Sequence, residues 1–154
     1  MNFKNINYLA GTKNISIKSL VPYANITCEF FDELSRLLLK STKAKKYTDI
    51  ISFAFWCRKK NIQNFKKNIN NSEFRVGLGL IFHICPSNIP VNFAYSFAFG
   101  LLSGNSNIVR VPSKSFPQVK IICDLINYLF KTKKFKSFNN TNLFVRYDQQ
   151  DIIT

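Results

Sequence analysis

Asn88 is the side chain whose position best suits carbonyl chemistry. It lies between Pro86 and Pro90, in a turn that follows the continuous apolar run 75–85. A turn at the carboxyl end of a buried strand lies where open α/β sheets bind ligands, and an amide there can donate a hydrogen bond to an oxygen that becomes negative during attack on a carbonyl. Taken alone, the pattern favours the simpler alternative, an Asn88 amide that hydrogen-bonds its own turn.

The one histidine and the four cysteines suggest less chemistry. His83 lies inside the apolar run without a Cys or carboxylate near it in sequence, which is typical of a hydrogen-bonded core histidine. Cys28, Cys57, Cys85 and Cys123 lack the close spacing of a zinc site or redox motif, so we expect reduced thiols and no metal. Cys85 adjoins the turn, but nothing in its neighbourhood would activate a thiolate.

Composition indicates one domain with a real core. The chain has 154 residues, 46% of them hydrophobic, and a net charge of +14. This charge is compatible with nucleic acid, an anionic membrane surface or a phosphate-bearing small molecule, although a general enrichment in Lys and Asn accounts for much of it. Neither a secretory signal nor an apolar run of about 20 residues is present, so we expect a soluble, cytoplasmic protein without a membrane span.

Hydrophobic periodicity predicts the elements that position these residues. Residues 1–25 are polar and are expected to form an irregular or weakly extended arm, followed by a helical segment over 26–72. The predicted elements are a helix from Thr27, a helix from Tyr47 to Ile69, a strand covered on both sides at 75–85, a helix closed by Gly104, a strand at 107–111, a helix after Pro117 and a strand at 143–147. Alternation of this kind predicts a parallel sheet with right-handed crossovers, an open α/β fold.

A resemblance to a known family rests on residues 77–118, GLGLIFHICPSNIPVNFAYSFAFGLLSGNSNIVRVPSKSFPQ. They resemble the start of the nucleotide-binding domain of the aldehyde dehydrogenase superfamily, and most of all the fatty acyl-CoA reductases of bacterial bioluminescence. The shared order is strand, Pro-x-Asn-x-Pro turn, helix rich in small and aromatic residues, Gly-Asn, strand and Pro-Ser. A weaker resemblance continues upstream through KAKKYTDIISFAFWCRKKNI and downstream through NLFVRYDQQDIIT. It covers only the first portion of the family's length and implies that 73–154 form the first half of a Rossmann-like NAD(P)-binding domain.

The resemblance implies roles for the residues near the turn and near the second strand of this region. Asn88 aligns with the superfamily's oxyanion-stabilising Asn. That strand ends in Lys-Pro-Ser-Glu in the superfamily, and the Lys and Glu hold the adenosine ribose. Here Arg110 and Lys114 flank Pro112-Ser113 with one residue inserted, so two cations replace the pair and the ribose-binding carboxylate is absent. The cations favour a 2′-phosphate and hence NADPH over NADH, unless they are simply solvated.

The implied reaction has three steps. A Cys thiolate takes the acyl group from an acyl-CoA or acyl-carrier thioester, a hydride from the nicotinamide reduces the enzyme thioester, and an aldehyde leaves. In the family the acylated Cys comes far downstream of this region, so we expect the 154-residue chain alone to be inactive.

Two other functions compete with this interpretation. One is a non-catalytic fragment or partner subunit in a fatty-acid reductase complex, working with acyl-transferring proteins. The other is a basic nucleic-acid-binding module, which the Lys runs and aromatic content favour and which no recognised motif supports.

Overall fold

A four-stranded mixed sheet packs against six helices, and the computed structural model describes residues 6–69 and 74–147. The strands are β1 (Asn7–Gly11), β2 (Leu80–Ile84), β3 (Ser106–Arg110) and β4 (Asn142–Arg146). The helices are α1 (Asn25–Lys40), α2 (Thr48–Trp56), α3 (Lys59–Lys67), α4 (Asn92–Leu102), α5 (Pro117–Lys131) and α6 (Lys136–Asn139). None of the helices in the described ranges combines the length and the apolar character needed to cross a membrane.

The strand order is β1-β4-β3-β2. Strands β2, β3 and β4 run parallel, with Ile84 level with Arg110 and Arg110 level with Val145. Because α4 connects β2 to β3 and α5 connects β3 to β4, the predicted alternation of strands and helices is confirmed, and the fold class is α/β.

The predicted irregular or weakly extended arm contains a paired strand, which the sequence analysis did not predict. β1 pairs antiparallel with β4, with Asn7 opposite Arg146 and Tyr8 opposite Val145. Gly11 ends β1 at a φ of +84°, and a Cβ there would lie 1.9 Å from the carbonyl oxygen of Asn142. A glycine is required at this close approach. The strand is hard to recognise in the sequence because it is short and its stability comes from pairing with residues more than 130 positions away.

The helix predicted from Tyr47 to Ile69 is two helices. Arg58 has an extended conformation, with a ψ of 141°, and separates α2 from α3. The carboxylate of Asp32 accepts a hydrogen bond of 3.0 Å from the backbone N–H of Lys59, and the Asn61 amide donates to the carbonyl oxygen of Phe55. These two side chains satisfy backbone groups that the break exposes, so the apolar periodicity continues across an interrupted backbone.

The strand predicted at 75–85 is shorter and lies at the border of the sheet. β2 pairs with β3 alone, and only its Ile81 and His83 side turns toward the helices. Phe82 and Ile84 on the opposite side are 46% and 59% exposed. The prediction that both sides of this strand are covered is therefore wrong. We call this opposite surface, formed by Leu80, Phe82, Ile84, Ile108, Leu143, Val145, Tyr147 and Tyr8, the open face of the sheet.

The other face of the sheet and the helices share one hydrophobic core. Helix α4 buries its predicted apolar residues, including Phe97, and ends at Leu102. Gly104 follows two residues later with a φ of +88°, which confirms the predicted glycine cap. The ring of Phe30 on α1 lies at the centre of this core. It meets five other rings at centroid distances between 5.3 and 6.2 Å, those of Phe31, Phe97, Phe130, Phe135 and Phe138. The helical segment and the sheet therefore depend on the same aromatic contacts.

We predict that Phe30→Ala lowers the free energy of unfolding by about 3–5 kcal/mol, because the cavity it leaves is enclosed by rings from several elements. Urea denaturation followed by circular dichroism measures the change. Phe74→Ala is the matched control, since Phe74 is 89% exposed, and it should change stability by less than about 0.5 kcal/mol. Equal losses for the two variants would contradict the assignment of Phe30 to the centre of the core.

Candidate functional site

The carboxyl ends of the three parallel strands bring together most of the residues singled out in the sequence. Arg110 ends β3, and the segment 111–114 follows it. Tyr147 follows β4 directly, and the turn containing Asn88 follows β2. Because Ile84, Arg110 and Val145 share one level of the register, these segments lie along a single edge of the sheet.

Arg110 is the best-defined charged group at this edge. It is 4% exposed, and its side chain lies on the open face because the neighbouring Val109 belongs to the core beneath the helices. Its Nη2 donates hydrogen bonds of 3.2 Å to the hydroxyl of Ser113 and to the carbonyl oxygen of Tyr147. The guanidinium carbon lies 4.7 Å from the centre of the Tyr147 ring. The guanidinium is thus held against an aromatic ring, and its hydrogen bonds within the protein are made by Nη2.

We call Arg110, Ser113 and Tyr147 the Arg110 cluster. Two of its buried polar atoms, Arg110 Nε and the Tyr147 hydroxyl, have no hydrogen-bond partner among the described residues. Leaving a buried polar atom unpaired costs about 1–3 kcal/mol, and more when the group is charged. The ion pairs between described residues join Arg36 to Glu33, Lys120 to Asp124 and Lys134 to Glu29, and Arg110 takes part in none of them. The cluster thus presents buried donors without a counter-charge.

The other predicted cofactor residues divide into two groups. Pro112 is buried and its carbonyl oxygen accepts a 3.0 Å hydrogen bond from Arg146 Nε, while the Ser113 hydroxyl donates to the carbonyl oxygen of Tyr147 at 3.3 Å. Ser113 therefore belongs to the Arg110 cluster, whereas Pro112 is held by Arg146. Lys114 is exposed, and its Nζ lies 5.4 Å from the centre of the Phe116 ring. It stands beside the cluster without contacting it.

Asn88 is exposed in its turn. Within the described ranges, no hydrogen bond joins its side chain to the turn or to the Arg110 cluster. Because β2 borders the sheet, no described strand lies on its far side to face the Asn88 amide. The expected closed cleft at the tip of a buried strand is absent from the described part of the chain, and only the position of Asn88 after the carboxyl end of β2 remains.

His83 is a core histidine, as predicted. Its Nδ1 lies 2.8 Å from the hydroxyl of Ser96, and its Nε2 lies 2.9 Å from Oδ1 of Asn107. The amide nitrogen of Asn107 donates to the Asn105 carbonyl and to Oδ1 of Asn142, so Oδ1 of Asn107 must accept a hydrogen bond from Nε2–H of His83. Nδ1 then accepts from Ser96. Burial lowers the pKa of His83, which keeps the ring neutral.

Helix α4 approaches this chain of polar groups closely. A Cβ at Gly100 would lie 2.1 Å from Oδ1 of Asn107 and 2.9 Å from His83 Nε2. Only glycine fits there. Hydrogen bonds between side chains link α4 to β2, β2 to β3 and β3 to β4. We call the set His83, Ser96, Asn107 and Asn142 the buried polar chain.

The four cysteines are free and poorly suited to nucleophilic attack. Burial raises the pKa of the Cys85 thiol to about 11 and raises the pKa values of Cys57 and Cys123 as well. Cys28 is partly exposed, and burial again raises its pKa. Because the thiolate is the reactive form, none of these thiols is activated at neutral pH.

Two other features lie away from the edge. The Gly77-x-Gly79 pair precedes β2, at the opposite end of the sheet, where a Cβ at Gly77 would lie 2.1 Å from the carbonyl oxygen of Gly104. These glycines serve backbone packing. A cavity of about 820 Å³ between α1, α3 and α5 is lined by Glu29, Asp32 and Lys66, and all three have partners within the protein.

Tyr147 is the member of the cluster that the sequence reasoning missed. It closes the apolar run NLFVRY as one more hydrophobic residue, and its role at the edge depends on the register between β3 and β4. The available signal was its place directly after a predicted parallel strand, the position where site residues of open sheets concentrate.

The comparison with protein families gives the class of the protein. The model of the family described as Acyl-CoA reductase (LuxC) matches residues 2–132 of the 154. The chain belongs to this family, which confirms the resemblance noted in the sequence. The matched stretch includes Asn88 and residues 110–114. No curated protein and no solved structure matches the chain significantly.

We predict that Asn88→Ala changes the free energy of unfolding by less than about 0.5 kcal/mol, because the exposed amide supports no contact in the fold. Asn107→Ala should cost about 1–3 kcal/mol, since it leaves His83 Nε2 and Oδ1 of Asn142 without their hydrogen-bond partner. Both values come from urea titration. A loss for Asn88→Ala as large as that for Asn107→Ala would show that Asn88 supports its own turn.

We also predict that the protein loses stability as the pH falls from 7 to 5. The pKa of His83 is lower in the folded chain than the ordinary value near 6.5, so the unfolded chain binds the proton first and acid favours unfolding. Thermal melting of the parent chain and of His83→Gln across this range measures the effect. A parent chain whose melting temperature falls no more steeply than that of His83→Gln would contradict it.

Proposed function

We propose that this chain takes part in the NADPH-dependent reduction of a fatty acyl-CoA, or of an acyl-carrier thioester, to an aldehyde. In this proposal it is the N-terminal part of the reductase, and the acylated Cys is supplied by polypeptide outside these 154 residues. Membership of the LuxC acyl-CoA reductase family is the observation that carries the proposal. The proposed setting is the cytoplasm, with acyl-transferring proteins as partners.

The Arg110 cluster supports NADPH as the cofactor. A ribose 2′-hydroxyl is usually bound by a carboxylate, whereas a 2′-phosphate is bound by a cation. Arg110 is a buried cation without a carboxylate partner among the described residues, and Ser113 adds a hydroxyl beside it. Arg110 would hold the 2′-phosphate, Ser113 would hold the guanidinium in place, and Arg146 would fix the backbone at Pro112. When bound, the cofactor supplies a hydride to the acyl carbon.

Asn88 would act on the acyl carbonyl. In the proposed reaction its amide donates a hydrogen bond to the oxygen that becomes negative during attack. Such a donor lowers the activation barrier by about 3 kcal/mol. Its exposed position and lack of partners leave the amide free for such a contact. The contact needs a site from which water is excluded, so the proposal requires further polypeptide to pair with the free edge of β2 and to cover the open face.

The nucleophile is the part that these residues do not supply. All four thiols have raised pKa values, and three of them are buried. An acyl group arriving on a carrier thioester would meet no thiolate ready to accept it. The proposal therefore assigns this chain to cofactor binding and oxyanion stabilisation, and assigns acyl transfer to another segment.

We predict that the 154-residue chain alone does not oxidise NADPH in the presence of a long-chain acyl-CoA. A steady-state assay at 340 nm measures this, and a complete acyl-CoA reductase in the same assay is the positive control. Sustained turnover by the purified chain would contradict the assignment. Turnover that survived in Cys28→Ala would also exclude the most exposed thiol as its source.

A further inference from the structure

The two unpaired buried atoms at the carboxyl edge belong to residues in contact with each other. Arg110 Nε and the Tyr147 hydroxyl are two of the three buried side-chain polar atoms that lack a partner among the described residues, and the third, on Thr27, lies in α1. The Arg110 guanidinium lies over the Tyr147 ring. Two unsatisfied groups in one contact indicate a common missing partner.

The groups that are already satisfied show what this partner must be. The Tyr147 carbonyl oxygen accepts from both Arg110 Nη2 and the Ser113 hydroxyl, so the backbone of Tyr147 is fixed. What remains free is the Nε–H donor of Arg110 and the phenolic O–H of Tyr147. Two free donors, one of them on a cation, call for an acceptor with several negative oxygens.

The surroundings provide room beside Tyr147. This residue lines a cavity of about 340 Å³ on the open face, together with Tyr8 and Phe82, and Arg110 lies next to it beneath the Tyr147 ring. The described residues of the lining include no carboxylate. A ligand that brings its own negative charge and an apolar or aromatic body would suit this combination of donors and apolar wall.

We propose that Tyr147 completes, with Arg110 and Ser113, a binding site for a phosphate monoester. The inference rests on the proposed function, in which this group is the 2′-phosphate of NADPH. The Tyr147 hydroxyl and Arg110 Nε donate to phosphate oxygens, and Ser113 holds the backbone and the guanidinium in place. Tyr147 is a ligand-binding residue in addition to the segment 110–114.

A purely structural role for Tyr147 makes a different prediction from a ligand-binding role. Tyr147→Phe keeps the ring over Arg110 and the carbonyl that accepts from Arg110 and Ser113, and removes only the unpaired hydroxyl. Because that hydroxyl makes no hydrogen bond in the fold, its loss should leave the melting temperature unchanged or raise it. A binding role predicts weaker ligand binding in the same variant.

Isothermal titration calorimetry of the 154-residue chain with 2′-AMP, adenosine and inorganic phosphate tests the inference. We expect the parent chain to bind 2′-AMP more tightly than it binds adenosine. Tyr147→Phe should weaken 2′-AMP binding about tenfold at an unchanged melting temperature, the usual effect of one hydrogen bond to a charged group. Tyr128→Phe is the matched control, because Tyr128 is exposed on α5, and it should bind as the parent does.

Each other outcome would overturn a specific part of the proposal. Parent-like binding of 2′-AMP by Tyr147→Phe overturns the role of Tyr147, and if Arg110→Met still weakens that binding, the proposed NADPH site stands. Equal binding of 2′-AMP and adenosine overturns both the phosphate site and the cofactor assignment. Inorganic phosphate that binds as tightly as 2′-AMP and also depends on Tyr147 keeps the phosphate site and contradicts a nucleotide cofactor.

Discussion

The parallel register of β2, β3 and β4 is the constraint on which the rest of the structure depends. It places the carboxyl ends of three strands at one level, and with them Arg110, Tyr147 and the turn of Asn88. The buried polar chain fixes this register, because a slip by one residue would turn Asn107 away from its partners on the neighbouring strands. A fully satisfied polar network of this kind specifies one arrangement where apolar contacts alone would tolerate several.

The same register divides the sheet into two unlike faces. One face is filled by the aromatic core around Phe30, and the open face keeps Phe82 and Ile84 exposed beside the unpaired edge of β2. Strands in parallel sheets are normally covered on both faces. An acyl-CoA reductase needs a dry site for thioester chemistry, so our proposed function places the covering polypeptide on this face, with Asn88 and the Arg110 cluster at its margin.

Local features of this fold were predictable from sequence, and features set by distant pairing were not. The helix of Phe97 and its cap at Gly104 follow from periodicity and from one glycine. β1 was not predicted because its five residues gain their stability from pairing with β4. A continuous apolar run such as that of β2 does not distinguish a strand covered on both faces from a border strand with one exposed face. At the candidate site, Arg110 carried a signal in its motif, whereas Tyr147 became recognisable only through the register that brings it against the guanidinium.

The most direct test of the account is a nuclear magnetic resonance titration of the labelled chain with NADP⁺ and, separately, with NAD⁺. Our account holds that the carboxyl edge of the sheet recognises the 2′-phosphate. It predicts that NADP⁺ shifts the backbone amide signals of residues 110–114, except that of the proline, and of Tyr147, and that NAD⁺ at the same concentration does not. Equal shifts with both nucleotides, or NADP⁺ shifts confined to the lysine-rich surface of α3, would contradict it.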